Sequence, residues 1–223
     1  MKELNRIGKP ADYARDPFDP ARDYAFLALL LTPAAVDGLW NIRFDSKIHG
    51  LLVTYLFDAL PLVLLATAPR YWWAFRECAM ARIDLKWTLI FVPVFAVLAV
   101  VILRLEIAIQ LTFIDPSEWT RPLNGDRPWY WFDMTFGLTL GAITEELTYR
   151  GIFAAILFRR GAKTWLVVLL SSLIFALLHW PSGIAAIITA FLFGLLLMAV
   201  YLKTRSIWPG VILHTIYNIA VFA

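Results

Sequence analysis

The stretch GLTLGAITEELTYRGIFAAILF, residues 137–158, decides how the rest of the chain is read. Around its Glu145-Glu146-x-x-x-Arg150 centre it is mostly apolar; the apolar run begins upstream at Trp129 and stops at Arg159 and Arg160. Two carboxylates and a guanidinium thus lie inside what reads as a membrane-spanning helix. A charge at bilayer depth costs about 3 kcal/mol on insertion scales, so it needs a partner or a task. Glu146 and Arg150 are four residues apart on one helix face and can pair. Glu145, turned about 100° from Glu146 by the helix pitch, is the carboxylate left over.

Composition agrees with a membrane setting. Of 223 residues, 61% are hydrophobic and only 17% are charged, with a mean hydropathy of +0.69. A soluble domain carries about 45–50% apolar residues. An ordinary soluble globule is excluded, and the expected fold is all-α: a polytopic transmembrane helical bundle. The small basic excess, with a pI near 9.1, is a topology signal before it is a nucleic-acid signal. No nucleic-acid partner is expected. Cys78 is the only cysteine, so no intrachain disulfide can form. Residues 1–23 are charged, contain three prolines and lack the apolar core of a signal peptide. They read as an arm, with the first span directing insertion.

About seven spans are expected: 24–40, 51–68, 87–113, 129–158, 164–179, 184–202 and 208–223. Segment 69–86 sets Tyr71, Trp72, Trp73 and Phe75 beside Arg70, Arg76, Arg82 and Lys86, a mixture that suits a helix in the headgroup plane. The chain then divides into a cytoplasmic arm (1–23), an N-terminal transmembrane region (24–128) and a transmembrane core (129–223). With seven spans, most basic residues fall on one side: those of the arm, of 69–86, Arg159, Arg160, Lys163, Lys203 and Arg205. The other side has Arg43, Lys47, Arg121 and Arg127. This bias places the N-terminus in the cytoplasm and the C-terminus outside, in a plasma or inner membrane. Gly137 and Gly141 form a G-x-x-x-G pair that lets another helix approach.

The remaining polar residues of the core recur at one depth. His179 ends the fifth span, and His214 and Asn218 share a face of the seventh. At 1.5 Å per residue, Glu145 is roughly 20 Å from Arg159, and His179 roughly 24 Å from Lys163. Asn218 and His214 are roughly 20 and 14 Å from Arg205. All four fit within one slab of a hydrocarbon core about 30 Å thick. A carboxylate and an imidazole sharing a water make a general base for attack on a carbonyl, a task for Glu145 and His179. His214 and Asn218 could donate to the oxyanion that develops. The alternative is Zn²⁺ held by Glu145, His179 and His214, with water in the fourth place; His-x-x-x-Asn is a poorer zinc pair than His-x-x-x-His. Other classes compatible with intramembrane acids and imidazoles are a proton-coupled transporter and a non-catalytic scaffold or immunity protein. His49 reads as an ordinary surface histidine. Arg104 and Glu106 are most simply explained by snorkelling to the outer interface, the rival being contact with a polar substrate. Asp58, near Pro61, reads as satisfying backbone groups freed at a kink, the alternative being a role in supporting the site or meeting the substrate.

Glu145-Glu146-x-x-x-Arg150, Phe175-x-x-x-His179 and His214-x-x-x-Asn218 follow one another on successive apolar helices. In that order they resemble the CAAX protease and bacteriocin-processing (CPBP) family, which includes the type II CAAX prenyl endopeptidases. The resemblance covers about residues 129–222. It implies an intramembrane endopeptidase acting on a protein or peptide in the bilayer, prenylated or not. On the matching positions, Glu145 and His179 would activate water, and His214 and Asn218 would stabilise the oxyanion. Glu146 and Arg150 would support the site or hold a substrate carboxylate. Members are described both as metalloproteases and as metal-independent glutamate proteases. Asn218, better suited to donation than to ligation, favours the second, with no cofactor.

Overall fold

The computed structural model describes residues 19–43, 49–78, 85–113 and 130–222. Its described residues form helices and short turns, with no strand among them. Helix α1 runs Pro20–Arg43 and α2 His49–Ala66. A 3₁₀ turn, Pro69–Tyr71, leads into α3, Trp72–Cys78. Helix α4 is Leu85–Phe113. Helix α5 runs continuously from Tyr130 to Arg159, but two of its stretches, Asp133–Gly137 and Glu146–Phe153, wind as π-helix. Helix α6 is Thr164–Leu177, α7 Gly183–Thr204 and α8 Trp208–Phe222. Most of the arm (1–18), the 79–84 part of the interfacial segment and the loop around 115–128 lie outside the described residues, as does the side chain of His49.

Among the described residues, two helical segments are long and apolar enough to cross a membrane, Leu85–Thr112 and Trp180–Thr204. A third counts if Val53–Ala66 and Pro69–Arg76, bent by 83°, are one broken span. The expected seven are therefore not established by length and apolarity. The physical reasons are visible in the elements themselves. Helices α6 and α8 have 14 and 15 residues, roughly 21–22 Å at 1.5 Å per residue, short of a 30 Å core. Helix α5 carries its charges in the middle. Segment 69–78 is not a free surface helix either, because Ala74 and Cys78 are fully buried.

Helix α7 is central and α4 peripheral. The apolar window of α7 is 56% buried, that of α4 only 6%. The exposed face of α4, with Leu89, Val97 and Val101, is the kind of surface that lipid covers. One apolar core joins Leu27, Leu30, Leu65, Ile152, Ile156 and Met198. A second joins Phe95, Ile102, Phe175, Phe193, Leu197 and Leu213. Glycines set the close approaches. A Cβ on Gly194 would lie 3.1 Å from the Ser172 Cα, so α6 and α7 touch nearly backbone to backbone. The Gly137/Gly141 face receives α2: Cβ atoms there would meet Tyr55 and Asp58. The turn from α6 to α7 is a 3₁₀ turn, Trp180–Ser182, closed by Gly183 at φ +88°. That conformation suits glycine because a Cβ would clash.

Candidate functional site

The site begins where α5 changes its winding. Glu145 ends an α-helical stretch and Glu146 opens the π-helical one. π-turns place successive side chains differently from a regular helix and often occur at functional sites. Glu145 and Glu146 both face His214 of α8: Nε2 lies 3.4 Å from the Glu145 Oε2, and Nδ1 3.1 Å from the Glu146 Oε1. Glu145 is therefore not isolated from its neighbour's network as a simple 100° rotation predicts. The Nδ1–H is donated to Glu146, because a carboxylate oxygen can only accept.

The Glu146 Oε1 also meets Arg150, 3.1 Å from its Nη1, as the four-residue spacing predicts. Arg150 is fully buried. Its guanidinium lies 4.4 Å from the Phe175 ring centroid and donates from Nη2 to the Gly194 carbonyl at 3.5 Å. Each contact is individually modest. Together they accommodate a cation that water cannot reach. Glu146 and Arg150 line neither of the two cavities described below.

His179 stands just beyond α6, in the turn. Its Nδ1–H donates to the Phe175 carbonyl at 2.8 Å, which fixes the ring and leaves Nε2 for another partner. Two cavities meet at Glu145, His179 and Ser182, which line both. The first, about 350 Å³, is walled by Leu30, Asp37 and Asp58 from α1 and α2 and by Thr144 and Thr148 from α5. The second, about 620 Å³, lies among α4, α7 and α8 and includes His214, Tyr217 and Asn218. All four sequence-predicted site residues thus line the second cavity, and two of them also line the first. Glu145 is accessible there, with 29% of its side-chain surface exposed, whereas His214 is only 2% exposed.

Two residues stand differently from the sequence reading. Glu106 does not snorkel: its Oε2 accepts hydrogen bonds from Thr189 at 3.1 Å and Tyr217 at 3.2 Å, and it lines the second cavity. Arg104, two residues away, is exposed. Asp58 lines the first cavity with Glu145, and its backbone carbonyl takes the Thr144 hydroxyl at 2.7 Å. The signal for both was their cost inside an apolar span; what they meet depends on which helices pack together. Ser182, too, was overlooked, being a turn residue without a motif.

Among the described residues no group of three His, Cys, Asp or Glu side chains is placed to hold a metal ion, and no step below is routed through zinc.

No curated protein and no solved structure matches the chain. A family model does. It covers α5 to α8, the helices that carry the three motifs, and with the apolar helices it marks an integral membrane protein. Residues 127–220 match the family described as type II CAAX prenyl endopeptidase, Rce1-like.

Proposed function

We infer that the chain is an intramembrane endopeptidase that hydrolyses a peptide bond of a membrane-associated protein or peptide with an activated water. One observation carries this reading: Glu145 and His179, from different helices, line the same two cavities, with His214 and Asn218 in the larger one. The Rce1-like family match over the same helices supports a CAAX-type protease.

A water held by Glu145 and the Nε2 of His179 attacks the scissile carbonyl. Its proton passes to that pair as the carbon–oxygen bond forms. The negative charge gathers on the former carbonyl oxygen, and Asn218 and His214 donate to it. The proton then moves to the amide nitrogen, the carbon–nitrogen bond breaks, and a carboxylate and an amine leave. Glu146 holds the Nδ1 of His214, and Arg150 holds Glu146. Full crossing by seven spans, with the N-terminus in the cytoplasm, belongs to the same proposal and rests on the distribution of basic residues.

The test is cleavage of a library of tagged membrane-anchored peptides, prenylated and unprenylated, by purified protein in liposomes. Wild type should cleave, with and without a chelator. Glu145→Gln should fall to background, and His179→Ala by about 10²–10⁴, the usual weight of a general base. Undiminished cleavage by either variant would remove that residue from the mechanism. Activity lost to chelator and restored by zinc would replace the water-activating pair with a metal.

A further inference from the structure

The geometry points to a cation-recognising pocket beside the candidate catalytic residues, with Glu106 as its specificity-determining residue and a substrate lysine or arginine as its occupant. This deepens the peptidase reading and rests on it. Among the described residues, the hydroxyls that anchor Glu106 reach one oxygen of its carboxylate. Both hydroxyls, of Thr189 on α7 and Tyr217 on α8, reach its Oε2. The Thr189 hydroxyl also lies 2.9 Å from the Ala185 carbonyl, and the Tyr217 ring stacks on Phe193 with centroids 4.3 Å apart, so these anchors are themselves held. Among the described residues, the Oε1 has a single long contact, 3.5 Å from the Gln110 amide. A long neutral contact leaves most of an anionic oxygen's capacity unused.

Among the described residues, no lysine or arginine lines the cavity it borders. The ionisable residues that do are Glu106, Glu145, His179, His214 and Tyr217. Arg104 is turned about 200° around α4 from Glu106 and is exposed. The rest of the wall is largely apolar, including Leu103, Ile107, Phe193 and Val221. A lysine or arginine matches both parts, with its methylene stem on the apolar wall and its charged head on Oε1. Because His214 and Asn218 line the same cavity, the basic residue would sit a short distance along the peptide from the bond that is cut. A purely structural Glu106, tying α4 to α7 and α8, is the competing account. Glutamine separates the two, since it keeps an oxygen for the hydroxyls and loses the charge.

The experiment uses the full chain in lipid nanodiscs, with Glu145→Gln to prevent turnover. Fluorescent apolar peptides carry one lysine, moved along a constant sequence, and are compared with norleucine and glutamate at the same position. At one position, lysine should bind about tenfold more tightly than norleucine, the scale of a hydrogen bond to a charged group. Adding Glu106→Gln should bring the two within about twofold. Gln110→Lys, which leaves the anchors of Glu106 untouched and sets a cation beside Oε1, should also remove the preference. The second variant decides the matter if the first does not fold. A lysine preference that survives both substitutions, or none at any position, overturns the pocket. Hydrolysis of the same peptides by the chain with Glu145 intact is scored separately. Binding preference without hydrolysis would sink the peptidase reading and leave the pocket; hydrolysis without preference would do the reverse.

Discussion

At the scale of single residues, the site depends on how Glu146 shares one oxygen. Its Oε1 serves Arg150 and His214 at once, and His214 in turn faces Glu145. Removing the cation leaves a buried carboxylate without its charge partner. Arg150→Ala should therefore cost about 3–5 kcal/mol, as breaking a buried pair does, measured by thermal unfolding in detergent. Gly210 tests the same network from the other side. A Cβ there would lie 2.8 Å from the Glu146 Oε2, so Gly210→Ala should push the carboxylate off His214. A displacement near 1 Å at such a site costs about 10²-fold in rate. Peptide cleavage should fall on that scale while the variant still folds; wild-type rates would show that the contact between α8 and Glu146 carries no function. The Glu146–Arg150 pairing was legible because spacing fixes it. The clasp on His214 was not, because it needs both the π-winding of α5 and the docking of α8.

Among the helices, α5 and the α6–α7 pair carry the geometry. Gly194 lets α7 lie against Ser172 and puts its own carbonyl on Arg150. Gly194→Leu should separate the two helices, destabilising by about 1–3 kcal/mol as overpacking does, and should lower cleavage with it. A melting temperature equal to wild type would refute the close contact. The apolar runs and the Gly137/Gly141 pair allowed the core helices and one approach surface to be read directly. Winding with hydrogen bonds five residues apart leaves no such trace in the residue types of 146–153. The inward turn of Glu106 was missed for a similar reason. A charged residue near the end of an apolar helix has a cheap escape to water, and only the positions of Thr189 and Tyr217 show that it does not take it.

For the molecule as a whole, the family match covers only the helices that carry the motifs, but the cavities are closed by others. Leu30 and Asp37 of α1, Asp58 of α2, and Leu103 and Glu106 of α4 supply walls. Residues 127–223 expressed alone should therefore fail to cleave, and co-expression of residues 1–126 should restore activity; full activity of the short chain would show the N-terminal helices to be dispensable. The membrane class was legible from composition, because too few polar residues exist to cover a soluble surface. The number of spans was not. Short helices, a charged centre in α5 and the 83° bend after α2 break the simple equation of apolar run with crossing. The central claim is that Glu145 and His179 deliver water straight to the peptide bond. The most direct measurement is a reaction in heavy-oxygen water, with product and enzyme both analysed by mass spectrometry. The account predicts heavy oxygen in the new product carboxylate and none in the Glu145 side chain; label in Glu145 would mean that the carboxylate itself attacks, and would contradict it.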